Sequence, residues 1–391
     1  MTRLLLPLAF ILAAATPARA QDPVSTTGPT TPSITGQIFG SYNYQLPVAG
    51  AAFANQIDNS FVIDRASLTF RMPAGDHVSI RVTTDVYPTT EGTPNAYTVR
   101  VKYAYLQFDA PNSAAGGDLS ARIGLVQNVV IEHLDSFFPR YLSQSSVERA
   151  LFFSVADAGL AARYVMPHNV GEIYATIVNG PGYTSREKDR FKDFAMRVSL
   201  TPLANHELSP LWKSLTLTAW GYKGAVASSF VNGGTGQVAP IGEALDRSRE
   251  GVFAAVREPR LTLGAEFSQR HDDGDIGDNT VATPRTVSRV TAQLLSGFII
   301  ARPMRYLSSD DTSPFGLVAR YDYVKPTAKT SGFPLAPPSS NAYHTMIAGV
   351  FTDLSPRSQL ALDYQEQLTS NGTSSPPNPS KGYYLHFNVT F

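Results

Sequence analysis

The residue types that usually carry chemistry are present but not arranged for it. Seven histidines, His77, His133, His168, His206, His271, His344 and His386, are scattered along the chain. Neither H-E-x-x-H nor G-x-S-x-G occurs, so the usual carriers of zinc-hydrolase and serine-hydrolase chemistry are missing. There is no cysteine, hence no disulfide framework and no thiol chemistry. His271-Asp-Asp-Gly-Asp-Ile-Gly-Asp-Asn279 has the flavour of a calcium loop, but it lacks the terminal Glu and the flanking helices and reads as a solvated loop. No metal, cofactor or catalytic residue is expected. What the chain offers is fixed charge. One concentration lies in Asn128–Ala156, where Glu132, His133, Asp135, Arg140, Glu148 and Arg149 stand among Phe137, Phe138, Tyr141, Leu151, Phe152 and Phe153. A second is a set of arginines that share one parity of alternating segments. Rings of fixed charge do electrostatic work: they change the barrier that an ion meets on a narrow path.

The elements that must position these charges are strands. Gly382-Tyr-Tyr-Leu-His-Phe-Asn-Val-Thr-Phe391 alternates fully, with Tyr383, Leu385, Phe387, Val389 and Phe391 on one face and Tyr384, His386, Asn388 and Thr390 on the other. Period two is the signature of a strand with one apolar and one polar side. Sixteen such segments are expected, beginning near residues 34, 60, 77, 97, 118, 157, 170, 190, 213, 248, 260, 286, 315, 341, 357 and 381. Those near 170, 213 and 286 alternate poorly. Helical periodicity is nearly absent. Connections tend to alternate in length: Met72–Asp76, Pro167–Asn169, Glu258–Pro259 and Leu354–Arg357 are short, while Asn128–Ala156, Ser228–Arg247, His271–Pro284, Lys325–Ser340 and Thr369–Ser380 are long; Asp109–Asp118, Pro202–Trp212 and Pro303–Pro314 are longer than the pattern asks. Short periplasmic turns alternating with long extracellular loops mark an outer-membrane barrel. The expected fold is therefore all-β: a transmembrane antiparallel barrel of about sixteen strands over residues 34–391.

Composition agrees. Of the 391 residues 16% are charged, against about 25% in typical soluble proteins. With 32 basic and 32 acidic side chains there is no basic excess of the kind a nucleic-acid partner requires. Thr2-Arg3, the apolar run Leu4–Ala15 and Ala18-Arg19-Ala20 read as a signal peptide over residues 1–20. Its cleavage would remove Arg3 and Arg19 and no acid, leaving a net charge of about −2. Residues 21–33 read as a flexible lead-in. No later run is long and apolar enough for a transmembrane helix.

Parity assigns the wall. Arg65, Arg71, Arg81, Arg100, Lys102, Arg122, Arg163, Arg197 and Arg320 should face inward, with Asp85, Glu266, Asp322 and Asp363; Ile80, Val82, Ile123, Leu263 and Leu385 should face lipid. Asp64 falls on the lipid parity, which puts it near the upper rim or breaks the parity there.

Several segments resemble the phosphate-selective porin (O/P type) family. Asn59-Ser-Phe-Val-Ile-Asp-Arg-Ala-Ser-Leu-Thr-Phe70 resembles its early R-A-x-L-x-F strand, and Lys102-Tyr-Ala-Tyr-Leu-Gln-Phe108 its A-Y-L motif. Arg122-Ile-Gly-Leu-Val-Gln127 resembles the R-x-G strand before the long third loop. Val147-Glu-Arg-Ala-Leu151 with Asp157-Ala-Gly-Leu160 resembles that loop's exit, and Val318-Ala-Arg-Tyr-Asp-Tyr323 the late A-R-Y-D strand. Asn128-Val-Val-Ile131 stands where the family carries a proline. The resemblance implies a sixteen-stranded trimeric porin of a Gram-negative outer membrane, in contact with lipid and lipopolysaccharide, whose third loop folds into the lumen. On that reading Asn128–Ala156 enters the lumen, and its Glu132, Asp135, Arg140, Glu148 and Arg149 meet a wall bearing Arg65, Arg81, Arg100, Lys102, Arg122 and Arg163. Small hydrophilic solutes would then pass by diffusion, with a modest preference for anions, phosphate-like ones included. The competing expectation is a secreted or surface β-rich binding protein without a channel.

Overall fold

The computed structural model describes residues 31–48, 59–89, 96–114, 116–187, 189–227, 244–276, 286–307, 313–329, 342–369 and 380–391. The expected signal peptide and most of the lead-in lie outside these residues, as do most of the long connections and the end of the calcium-like stretch.

The described residues form sixteen strands: β1 (Ser33–Gln45), β2 (Asn59–Gly75), β3 (Val78–Thr89), β4 (Ala96–Ala110), β5 (Asp118–Gln127), β6 (Ala156–Val165), β7 (Gly171–Val178), β8 (Asp193–Leu200), β9 (Thr216–Ala227), β10 (Ala244–Arg257), β11 (Leu261–Ile276), β12 (Thr286–Ala301), β13 (Phe315–Lys329), β14 (Tyr343–Ser355), β15 (Ser358–Thr369) and β16 (Ser380–Thr390). Each begins within four residues of its expected start. Every strand pairs with its sequence neighbours, and β1 pairs antiparallel with β16, so the sheet closes. The seam runs from Gln37 opposite Thr390 to Gln45 opposite Gly382. Beyond β16 the chain end is still tied: Gly36 N donates to Phe391 O at 2.9 Å and Phe391 N to Gly36 O at 3.0 Å. A Cβ on Gly36 would run into the Phe391 ring, so glycine lets the terminal aromatic lie close over β1.

Inside and outside are inverted relative to a water-soluble protein. Along β3 to β5, Thr83, Asp85, Gln107, Ser120 and Arg122 are buried while Ile80, Leu106, Phe108 and Ile123 are exposed. The same holds at Arg320 and Asp322 against Tyr321, and at His386 against Leu385. The outward face is a belt of Leu, Ile, Val, Phe and Tyr, the surface a barrel presents to hydrocarbon. A closed sheet is what such a surface demands, because backbone N–H and C=O groups in lipid must all pair internally.

Among the described residues the register shifts at four places; two lie at strand ends, at Pro73/Gly75 and Asp353/Ser355, and the other two lie near the same charged region. In β2 the register passes from Phe39 opposite Arg65 to Gly40 opposite Ile63, skipping Asp64. Asp64 is thus a bulge residue, and its carboxylate accepts a bond from Ser41 Oγ at 2.9 Å. The bulge explains the parity conflict at this position: the extra residue moves the upper part of β2 by one. In β4 the register passes from Thr83 opposite Tyr103 to Thr84 opposite Val101, skipping Lys102. Bulges commonly re-aim side chains beside functional sites. A further difference from expectation concerns Asp272 and Asp273. These belong to β11, which runs to Ile276, and they pair with Arg249 at 3.2 Å and Arg289 at 2.7 Å.

The face assignment has a direct test. Leu385 lies mid-strand in β16 on the lipid side, so Leu385→Arg should destabilise the folded barrel by about 2–4 kcal/mol. Gln37→Arg, on the lumen face of adjacent β1, should cost little. Denaturant titration of the detergent-folded protein, followed by its heat-modifiable band, measures both; equal costs would contradict the assignment.

Candidate channel constriction

The segment between β5 and β6 carries two short helices, α1 (Ile131–Asp135) and α2 (Ser146–Arg149). Asn128 starts it: its side-chain Oδ1 accepts from Val130 N at 2.8 Å and Ile131 N at 3.3 Å, an Asx turn that leads into α1. Its centre is an ion-pair fork. Arg140 Nη1 lies 2.7 Å from Asp135 and 2.6 Å from Glu148, while Nη2 donates to Glu148 at 2.7 Å. The guanidinium thereby ties α1 to α2 in the two-pronged geometry that suits arginine. Burial pushes Asp135 above the ordinary carboxylate value, with Arg140 opposing. Burial also acts on Glu148, but there the charge of Arg140 wins and holds the group low.

The segment lies inside the barrel. Val129, Val130, Ile131 and Val147 are fully buried, and its partners are inward side chains of the far wall. Its aromatics meet that wall edge to face: Phe137 and Phe253 at 5.2 Å, Phe138 and Phe298 at 5.3 Å, and Phe153 and Trp220 at 5.1 Å between ring centres. Polar anchors continue around it. His133 meets Thr218 at 2.9 Å, Arg320 donates to Gln144 O at 2.7 Å, and Gln365 donates to Leu142 O at 2.9 Å. Ser146 donates to Glu266, and Arg149 donates to Gln367 at 2.9 Å. The anchors belong to β9, β11, β13 and β15, so the loop forms a shelf against that half of the lumen.

Its acids face the other half. Glu132 lies 3.6 Å from Arg81 of β3. Beside them Asp85 is shared by Arg65 at 3.5 Å and Arg100 at 3.4 Å. Arg100 is sandwiched between the rings of Tyr87 and Tyr183, 3.6 and 4.4 Å from their centroids, and Arg81 lies 4.6 Å over Tyr103. Such stacking fixes each guanidinium while leaving its edge charged. Lys102 lies 5.0 Å over the same Tyr103 ring. Arg65, Arg81, Arg100 and Lys102 on the wall thus oppose Glu132, Asp135 and Glu148 on the loop.

Arg122 is buried low in the same wall, bonded to Gln107 at 2.8 Å and Gln127 at 3.1 Å and close to the rings of Tyr105, which Arg81 also meets, and Tyr174. The other residues assigned from sequence stand elsewhere. Arg149 is turned to β15 and to Ser143 at 2.8 Å. Arg163 and Arg197 both pair with Glu172 of β7. Glu172 was missed because β7 alternates poorly, although Tyr174 and Thr176 share its buried face. Arg249, Arg257 and Arg270 were missed for the same kind of reason: each faces in and holds a loop aromatic or carbonyl, which strand parity alone does not announce.

No protein-family model matches the chain, and no curated protein matches it. Solved structures do. OmpT with loop L8 deleted, an outer membrane protein of Vibrio cholerae, is 11% identical, covers 92% of this chain and 99% of its own, and superposes with a TM-score of 0.60. The outer membrane channel DcaP of Acinetobacter baumannii is 12% identical over 92% and 97%, with a TM-score of 0.57. An anion-selective porin from Comamonas acidovorans is 10% identical over 92% and 99%, with a TM-score of 0.55. The chain has the porin fold. At these identities the likeness concerns the fold and leaves solute and selectivity open.

The fork at Arg140 sets a stability prediction. Asp135 and Glu148 are 4% and 9% exposed. Arg140→Met strands two buried carboxylates, and breaking such a pair costs about 3–5 kcal/mol. Limited proteolysis of the detergent-folded variant should cut within 131–153 while the barrel band persists. Protection equal to that of the parent chain would contradict the locking role.

Proposed function

We propose that the chain is an outer-membrane porin that admits small hydrophilic solutes by passive diffusion, with a modest preference for anions. The observation that carries this reading is the opposition of Arg65, Arg81, Arg100 and Lys102 to a loop held inside the barrel. A sixteen-stranded barrel encloses an aqueous lumen, and an inward loop narrows it to a charged passage. Around that passage five cations, the four above and Arg140, meet four acids, Asp85, Glu132, Asp135 and Glu148. The surplus is small, and so is the expected preference. Charges in a narrow, low-dielectric passage are screened less than charges on an open surface, so the surplus still acts on a passing ion. The sequence resemblance to phosphate-selective porins supports phosphate-like anions as members of the solute class. It also supports a homotrimer in contact with lipid and lipopolysaccharide, reached through export on a signal at residues 1–20. A water-soluble binding protein is disfavoured by the outward belt: Phe61, Leu295 and Leu362 would stand bare in water.

Reversal potentials in a planar bilayer under a potassium chloride gradient test the reading. The parent channel should favour chloride, less so as ionic strength rises. Replacing Arg81, Arg100 and Lys102 by Ala should turn the preference toward potassium. A cation-selective parent channel, or indifference to the triple change, would contradict the anion preference.

A further inference from the structure

The three loop acids are not held alike. Asp135 and Glu148 are clamped on Arg140 and almost wholly buried. Glu132 is 23% exposed, and its contact with Arg81 spans 3.6 Å, beyond ordinary hydrogen-bond length. It stands in the first turn of a five-residue helix, on the side that faces the passage. Around it are cations that have no acid of their own. Lys102 is thrown inward by the β4 bulge and, among the described residues, makes no hydrogen bond or ion pair; its contact is the Tyr103 ring. Arg122 donates to the amide oxygens of Gln107 and Gln127, and among the described residues no carboxylate pairs with it. Burial raises the Glu132 carboxyl, but Arg81, Lys102, a hydrogen bond with Tyr103 and then Arg122 together hold it below its usual value. One carboxylate therefore serves three cations.

We infer that Arg81, Lys102 and Arg122 form a carboxylate subsite in the constriction, and that Glu132 occupies it as a tethered competitor for carboxylate-bearing solutes. The inference rests on the channel reading and adds a solute class to it. The site already accommodates a carboxylate on a short side chain, so a free carboxylate of that size fits when Glu132 swings aside. Tethering gives Glu132 a high effective concentration, which keeps a free anion from binding long enough to stop the flow. Glu132 is on this account a specificity-determining residue, and the bulge at Lys102 is the backbone device that completes its cradle.

Acetate, which copies the end of the Glu132 side chain, is the probe. In the detergent-folded protein, acetate at constant ionic strength should raise the unfolding temperature of Glu132→Ala in a saturable way. Its half-saturating concentration should be at least about tenfold below any seen with the parent chain. Adding Lys102→Ala to Glu132→Ala should abolish the effect. Glu132→Gln, which keeps the side-chain volume, should bind acetate like Glu132→Ala and, in bilayers, shift the reversal potential further toward anions. Equal acetate effects on the parent chain and both variants would overturn the inference, and so would binding that survives loss of Lys102. Because binding is read in detergent, a barrel that binds acetate as expected yet conducts no ions would count against the channel reading alone.

Discussion

The structure depends on one constraint: no backbone polar group may face hydrocarbon unpaired. Each such group would cost several kcal/mol, and only closure of the sheet satisfies all of them. The seam between β1 and β16, extended by the reciprocal bonds of Gly36 and Phe391, is where that constraint is met. Closure then imposes the rest. With lipid outside, the apolar parity must face out. The polar parity is thereby confined to a lumen, where its charges have to find partners among themselves or on whatever enters.

The loop between β5 and β6 answers the second requirement. Its aromatics cover apolar wall that would otherwise be wetted, including Phe253, Phe298 and Trp220. Its carbonyls take up arginine donors, and its acids offset the basic side of the lumen. It stays rigid because Arg140 ties its two helices together. The same arrangement sets the cations of β2 to β4 against the acids of the loop, with bulges at Asp64 and Lys102 adjusting the cationic side. Packing and electrostatics are thus one design, in which the residues that anchor the loop also decide which charges remain for a solute.

Much of the fold was legible because period-two alternation is enforced by lipid on one face and water on the other. Leu385, Ile123 and Leu263 face out and Thr83 and Thr262 face in, as the pattern requires. The weak strands were also the ones with mixed parity, such as β7. The charged site was legible only in part. Parity indicates which way Arg65, Arg81 and Arg100 point, and it does not indicate who their partners are. Arg140 and Arg149 look alike in sequence, yet one is clamped inside the loop and the other faces β15, because loop partners are set by the turn between α1 and α2. Of the two bulges, the one at Asp64 shows in the sequence as an acid on the lipid parity, whereas the one at Lys102 leaves no mark, because Lys102 keeps the parity of the inward Arg100.

The central claim is that the loop lies inside the barrel against the far wall. The chain has no cysteine, so introduced thiols report position without background. Ser146→Cys with Glu266→Cys places one thiol on α2 and one on β11, at a contact now made by hydrogen bonding. Treatment of the folded protein with a short bis-thiosulfonate should link the two, giving a cross-linked band that survives heating. A control pair across the ladder, Thr69→Cys with Thr83→Cys, whose hydroxyls lie 2.9 Å apart, should link as well. Cross-linking of the control pair without cross-linking at 146 and 266 would place the loop outside the lumen and contradict the account.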